Sequence, residues 1–83
     1  MTHVPRITVY HAPDCNLCAR ALEVVASVQA ELGFELELID IAGHPELEAR
    51  YRELLPAVEI DGSLAFTYFV DPAALRDRIR APS

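Results

Sequence analysis

The spacing of hydrophobic residues changes twice in the first half of the chain. Residues 6–10 alternate apolar and polar side chains with a period of two, which is typical of a β-strand. Residues 15–32 carry apolar side chains three and four positions apart, which predicts an α-helix with one buried face. In residues 35–41, Ile39 and Ile41 interrupt the alternation, so we expect a second strand that is covered on both faces. The first half therefore predicts a strand–helix–strand unit.

The next part of the chain predicts a second helix and a hairpin. Apolar residues follow helical spacing through residues 45–55, after a segment that contains glycine and proline. Residues 57–60 and 64–70 are typical of two strands. They are joined around Asp61-Gly62, a dipeptide that strongly indicates a tight hairpin turn.

A last helix is predicted after Asp71 and Pro72. An aspartate can cap the start of a helix, and proline suits the first helical position. The predicted order of elements is then βαβαββα, which is an α/β class of fold. With 83 residues, of which 52% are hydrophobic, the chain suits a single domain, residues 1–83, with a modest core.

Composition and charge restrict the partners of this protein. The formal net charge is -6, so a nucleic-acid backbone or an anionic membrane surface would repel the chain on average. No stretch approaches the ~18 apolar residues that a membrane span requires, and the start lacks the pattern of a signal peptide. We therefore expect a soluble, cytoplasmic monomer without nucleic-acid or membrane partners.

Cys15 and Cys18, the two cysteines, stand where the first strand gives way to the first helix. Unpaired backbone N–H groups at a helix start favour a thiolate over a thiol. Cys15 would then be the nucleophile, and Cys18, one turn further in, would attack the mixed disulfide and release the substrate. Asp14 opposes thiolate formation by its charge and by any capping of the helix, and the sequence leaves the net effect open. The spacing predicts thiol–disulfide exchange.

Two motifs, found in the expected order, resemble those of the thioredoxin superfamily, and of its glutaredoxin-like branch in particular. The segment ITVYHAPDCNLC is similar to the first strand and active-site loop of that family, and LLPAVEIDG to the segment that carries its cis-proline. The resemblance covers nearly the whole chain and implies a thioredoxin fold, with a four-stranded mixed sheet flanked by three helices. It also implies that Pro56 is cis beside the cysteines, and that the main chain of Leu55 binds substrate.

The chain departs from glutaredoxins at three places. Asn16 and Leu17 stand between the cysteines, where glutaredoxins typically have proline and an aromatic residue, and Leu54-Leu55 replaces Thr-Val. Glutaredoxins bind the glutathione carboxylate with a segment that contains Gly-Gly and an aspartate, and only the aspartate, Asp71, is present in this chain. We therefore expect no bound cofactor and leave glutathione open as reductant or co-substrate. The expected partners are a disulfide-containing protein or small thiol substrate, and a reductase.

Two other functions stay open at this point. A metal or iron–sulfur module would take two thiolates from Cys15 and Cys18, and a second chain, His11 or glutathione would complete the four ligands. A non-catalytic thioredoxin-like interaction domain would keep the cysteine pair as a vestigial or regulatory feature. His11 is also a candidate proton carrier and Tyr10 a candidate substrate platform, although surface position and core packing explain such residues equally well.

Overall fold

The computed structural model describes residues 4–80, and residues 1–3 and 81–83 of the expected domain lie outside this part. The predicted order of elements is confirmed, with one added 3-10 turn after the second helix. The elements are β1 (Arg6–His11), α1 (Asn16–Leu32), β2 (Glu35–Asp40), α2 (Pro45–Tyr51), the 3-10 turn (Arg52–Leu54), β3 (Ala57–Ile60), β4 (Ser63–Thr67) and α3 (Pro72–Arg80).

The four strands form one mixed sheet in the order β2-β1-β3-β4. Strand β1 is parallel to β2 and antiparallel to β3, and β3 is antiparallel to β4. Ile7 and Val9 of β1 face α1 and α3. Because side chains alternate along a strand, Tyr10 faces the opposite side, where it packs with Tyr51 of α2. The helices therefore cover both faces, which confirms the predicted sheet with three flanking helices.

The larger core cluster lies between the sheet and the α1–α3 layer. Helix α1 contributes buried residues three and four positions apart, so most of the predicted apolar face contacts the sheet. Leu17, expected at the start of this face, is instead 51% exposed. The buried members of this cluster are Ile7, Val9, Ala21, Val25, Val28, Phe34, Val58, Val70 and Leu75.

The hairpin between β3 and β4 closes through the two predicted residues. Asp61 and Gly62 both have positive φ, 51° and 85°, as a type I′ turn requires, and Ile60 pairs with Ser63 across the turn. The Asp61 side chain accepts a hydrogen bond from the backbone N–H of Arg6 at 3.0 Å, and its own N–H donates to the Arg6 carbonyl at 2.9 Å. These two hydrogen bonds connect the turn to the start of β1.

Two sequence-based expectations about the strands are wrong. Strand β2 is not covered on both faces, because it lies at the edge of the sheet, and Leu38 is 51% exposed. Strand β4 ends at Thr67 and not at Val70, because Tyr68 has a φ of 66° and redirects the chain. The Phe69 N–H donates to the Thr67 carbonyl at 2.6 Å, which closes a three-residue turn centred on Tyr68.

Other boundaries differ only slightly from the prediction. Strand β1 includes His11, and helix α1 begins at Asn16 with Cys15 as its N-cap. Helix α2 ends at Tyr51, and a 3-10 turn carries the chain to Leu54, so the predicted helical segment 45–55 is divided in two. Such shifts of an element's end are normal where a helix tightens in its last turn.

Candidate active site

Cys15 occupies the N-cap of helix α1 and uses its sulfur as the capping group. Its backbone is extended, with φ of -108° and ψ of 107°, and its Sγ accepts a hydrogen bond from the Cys18 N–H at 3.2 Å. The Cys15 N–H donates to the Ala12 carbonyl at 3.2 Å, which closes the loop before the helix. The sulfur therefore lies where the free N–H groups and positive end of the helix dipole favour negative charge.

The two cysteines form a disulfide but differ in exposure. Their Cα atoms are 5.3 Å apart, within the usual range for a disulfide. Cys18 is only 2% exposed, whereas Cys15 is partly exposed. Cys18 belongs to a second, smaller core cluster on the α2 side of the sheet, which also contains Ala12, Ile41, Tyr51, Leu55 and Ala57, and Cys15 packs against this cluster. Of the two sulfur-bearing residues, Cys15 is the one that an external group can approach.

Asp14 does not cap helix α1, because the Cys15 sulfur does. Its carboxylate instead accepts two hydrogen bonds from one guanidinium nitrogen of Arg52, at 3.0 and 3.2 Å. The hydrogen bond with Arg52 is the main reason that the pKa of Asp14 is lowered, so this carboxylate is ionised and paired. Arg52 also donates to Glu48 at 2.5 Å, and the bonds to Glu48 and Asp14 raise its own pKa. The charge beside Cys15 is thus countered by a cation from the 3-10 turn.

Leu55 and Pro56 lie in the segment between the 3-10 turn and β3, and the peptide bond between them is cis. Leu55 is 7% exposed and packs in the same cluster as Cys18, and the Pro56 side chain is fully buried. The Leu55 side chain is therefore largely shielded from solvent. The Pro56 carbonyl accepts a hydrogen bond from the Tyr68 N–H at 3.0 Å, so this segment is tied to the loop after β4.

A polar cluster on the α2 side of the sheet was not predicted from the sequence. The rings of Tyr10 and Tyr51 stack with centroids 3.9 Å apart and an interplanar angle of 11°. Both hydroxyls donate to the carboxylate of Glu59, at 3.3 Å from Tyr10 and 2.8 Å from Tyr51. Burial, followed by the hydrogen bonds with Tyr10 and Glu59, raises the pKa of Tyr51. The available sequence signal was an acid in the otherwise apolar strand AVEI, on the same side as Tyr10.

Two other residues singled out in the sequence, His11 and Asp71, make main-chain hydrogen bonds at the ends of elements. His11 ends β1, where its carbonyl accepts a hydrogen bond from the Ile41 N–H at 2.9 Å. Within residues 4–80, no three His, Cys, Asp or Glu side chains are grouped closely enough to hold a metal ion. The carbonyl of Asp71 accepts from the Leu75 N–H at 2.9 Å, as expected for the residue that precedes α3.

A mixed four-stranded sheet, helices on both faces and a Cys-x-x-Cys pair at the start of α1 define this as a thioredoxin-fold protein with a cysteine-pair site. The family model described as "Glutaredoxin-like domain (DUF836)" matches residues 6–80. The chain therefore belongs to this glutaredoxin-like family of the thioredoxin superfamily, as its motifs indicated.

Similar proteins support the same family and fold. The uncharacterized proteins Rv0508 of Mycobacterium tuberculosis (strain H37Rv) and Mb0520 of Mycobacterium bovis are each 32% identical over 77 residues, which covers 87% of this chain and 79% of theirs. Among solved structures, protein Ne2328 from Nitrosomonas europaea matches with a TM-score of 0.77 and 23% identity, over 95% of both chains. Protein XcR50 from X. campestris has a TM-score of 0.75 and 27% identity, over 93% of this chain and 99% of its own.

A more distant structural match confirms the expected thioredoxin fold. Fasciola hepatica thioredoxin has a TM-score of 0.62 and 18% identity, over 92% of this chain and 78% of that one. At this identity the match bears on the fold alone. Across residues 4–80, no helix has the length and apolar character needed to cross a membrane.

Proposed function

We propose that this protein is a thiol–disulfide oxidoreductase in which Cys15 is the nucleophile and Cys18 the resolving cysteine. The observation that carries the proposal is the capping geometry of Cys15: its sulfur accepts a backbone N–H at the start of α1. A thiolate would gain from the same hydrogen bond and from the helix dipole, so it would form more readily than on an ordinary cysteine. The burial of Cys18 suits a group that reacts only within the protein.

The reaction begins with both cysteines reduced. The Cys15 thiolate attacks one sulfur of a substrate disulfide, which forms a mixed disulfide and releases the other substrate sulfur as a thiolate that takes up a proton. Cys18 then loses its proton and attacks the Cys15 sulfur. This step forms the Cys15–Cys18 disulfide and releases the second substrate thiol. Two electrons pass from the protein to the substrate, and a reductase or a dithiol returns them.

The substrate side of the proposal rests on the segment next to the cysteines. We propose that the main chain of Leu55 pairs with an extended substrate chain, while Pro56 shapes the segment that presents it. The substrates would be disulfide-containing proteins or small thiols, with glutathione as a possible reductant and no bound cofactor. The protein would act as a monomer in the cytoplasm.

The role assignment can be tested with two variants and a disulfide-linked peptide. Cys15→Ser should abolish peptide reduction, because the attacking sulfur is gone. Cys18→Ser should accumulate a covalent adduct between Cys15 and the peptide, detected by non-reducing mass spectrometry, because the resolving step is blocked. A Cys15→Ser protein that still reduced the peptide would contradict the assignment.

A redox titration separates the proposal from its alternatives. In metal-stripped protein held in graded dithiol buffers, alkylation should reveal one two-electron transition between roughly -180 and -270 mV, the range of exchange catalysts. Stoichiometric zinc or iron that protects both cysteines in the isolated protein would favour the metal-binding function instead. Tight capture of a partner without any disulfide reduction would favour an interaction domain.

A further inference from the structure

Strand β2 forms an open edge of the sheet, and we refer to residues 35–40 as the β2 edge. The strand pairs with β1 along all six of its residues and has no neighbour on its other side within residues 4–80. The other edge strand, β4, is shorter, and its register with β3 shifts between Val58 and Glu59, which disturbs a regular edge. The β2 edge contains no proline and no lysine, two residues that commonly block pairing. It is therefore regular enough to accept another strand.

The hydrogen bonds at the two ends of β2 identify its open main-chain groups. The Glu35 N–H donates to the Pro5 carbonyl at 3.2 Å, and the Ile41 N–H donates to the His11 carbonyl at 2.9 Å. In a strand the N–H and C=O of one residue point to the same side, and successive residues alternate. The odd-numbered residues of β2 therefore bond to β1. The main-chain groups that point away from the sheet belong to Leu36, Leu38 and Asp40.

The side chains of the β2 edge differ between its two faces. Glu35 and Glu37 lie on the α2 side of the sheet, because they pair in register with Arg6 and Thr8 of β1. Leu38 lies on the opposite side and is half exposed. A strand added at this edge would thus meet carboxylates on one face and an apolar side chain on the other.

The two glutamates of the edge are available to a partner. Glu37 is exposed, and within residues 4–80 its side chain forms no hydrogen bond or ion pair. The Glu35 Oε2 lies 3.6 Å from the Arg6 Nε, but both side chains are 64% exposed, so this ion pair is weak. A groove of about 590 Å³ beside them is lined by three carboxylates, which include Asp61, and by one cation, Arg6. This balance of charge favours positively charged side chains in whatever lies against the edge.

Charge also argues against a second copy of this chain as the added strand. Each β2 edge carries three carboxylates, from Glu35, Glu37 and Asp40, and contains no lysine or arginine. Two such edges side by side would therefore place like charges on neighbouring strands, which destabilises their pairing. The phosphates of a nucleic acid would be repelled for the same reason.

We infer that the β2 edge binds an extended basic segment of a partner protein, which adds a fifth strand to the sheet. Lysine or arginine at alternate positions would face Glu35 and Glu37, and the apolar residues between them would cover Leu38. Because β2 is parallel to β1, Glu35 lies beside the start of β1, whereas the cysteine pair follows its end. At ~3.3 Å per residue the two ends of β1 are ~16 Å apart. The docking site is thus separate from the cysteines, and it goes beyond the proposed function.

The test uses the oxidised protein and a peptide in which lysine and valine alternate. In an NMR titration at about 150 mM salt, the amide signals of Leu36 and Leu38 should shift. Hydrogen exchange at these two amides should slow in the complex, because they acquire partners. Two N-methylated peptides separate strand pairing from charge attraction, one methylated at the lysine amides and the other at the valine amides. Only one set can face β2, so one peptide should lose more than about 10-fold in affinity and the other should keep it.

Variants of the protein locate the binding at the edge. Glu35→Gln and Glu37→Gln should each weaken binding by about 1.5- to 5-fold, as expected for an exposed ion pair. The matched control is Glu53→Gln, which removes the same charge from the 3-10 turn and should keep the wild-type affinity. Leu38→Pro removes an outward N–H without breaking a hydrogen bond to β1, and proline is tolerated at such edge positions. This variant should keep the fold by circular dichroism and bind the peptide less tightly.

The outcomes separate edge pairing from its alternatives. If the parent peptide does not bind, or if both N-methylated peptides bind as tightly as the parent, the inference is refuted. Equal losses in Glu53→Gln and Glu37→Gln would indicate attraction to the net charge of -6 alone and would also refute it. A dimer in sedimentation that Leu38→Pro abolishes would show a second copy at the edge and overturn the basic partner. Cys15→Ser should bind the peptide like the wild type, so a failure of thiol–disulfide exchange would leave this inference standing.

Discussion

Removal of the Tyr51 hydroxyl tests how much the hydrogen bond between α2 and the sheet contributes to stability. Tyr51 is 4% exposed, and its hydroxyl donates to Glu59 at 2.8 Å. Tyr51→Phe removes this hydrogen bond but leaves the ring that stacks on Tyr10. A hydrogen bond to a charged group contributes about 1.5–3 kcal/mol, so we expect a loss of that size in the free energy of unfolding. In a domain of this length each 1 kcal/mol lowers the Tm by roughly 4–8 °C.

The same variant should change how stability depends on pH. Burial raises the pKa of Tyr51, so the folded protein keeps this hydroxyl protonated at pH values where the unfolded chain ionises it, from about pH 10. The stabilisation that Tyr51 provides through its protonated hydroxyl is therefore fully present below about pH 10 and is lost as the pH rises further. Above that pH the wild type should lose up to ~1.4 kcal/mol per pH unit through this group, and Tyr51→Phe should not.

Urea unfolding of the oxidised proteins, followed by circular dichroism, measures both effects. Tyr68→Phe is the matched control, because Tyr68 is half exposed, and its stability should stay within about 0.5 kcal/mol of the wild type. The difference between wild type and Tyr51→Phe should shrink when the pH is raised from 9 to 11. A neutral-pH loss below 0.5 kcal/mol would refute the view that this hydrogen bond holds α2 to the sheet, and a constant difference would refute the pH argument.

Two further predictions concern the surroundings of the cysteines and the core. Arg52→Gln should raise the pKa of the Cys15 thiol, because it leaves the Asp14 charge unneutralised, and the pH profile of Cys15 alkylation measures this; an unchanged profile would contradict it. Replacing Asp14 by Asn in the same protein should reverse the shift. Leu75→Ala should cost about 2–5 kcal/mol in urea unfolding, because Leu75 is fully buried, whereas exposed Leu64→Ala should cost less than about 0.5 kcal/mol.

Local signals in the sequence were sufficient for most of the fold. The apolar spacing of α1 identifies its buried face because helical side chains three and four positions apart share a side. The Asp61-Gly62 turn is predictable because positive φ at both positions is a property of those two residues. The cysteine pair directly follows the first predicted strand, and this position is sufficient to predict that the pair lies at the start of a helix.

The features that the sequence did not predict depend on contacts between distant residues. Leu38 is exposed because β2 has a neighbour on one side only, and nothing within residues 35–41 fixes its place in the sheet. The pairing of Asp14 with Arg52 joins residues 38 positions apart, and the hydrogen bond from Tyr10 to Glu59 joins residues 49 positions apart. The balance of charge beside Cys15 therefore became clear only from the folded chain.

The capping role of Cys15 also links the ionisation of one thiol to the order of the first turn of α1. A charged sulfur accepts the Cys18 N–H more strongly than a neutral one, so loss of the proton and closure of the turn favour each other. Such coupling is reciprocal: the free energy that deprotonation adds to the turn equals the free energy that the closed turn adds to the thiolate. In the reduced protein, hydrogen exchange at the Cys18 amide should therefore slow as the pH passes through the pKa of Cys15, once the intrinsic pH dependence of exchange is removed. The backbone of α1 would thus report the state of the reactive group without any substrate present.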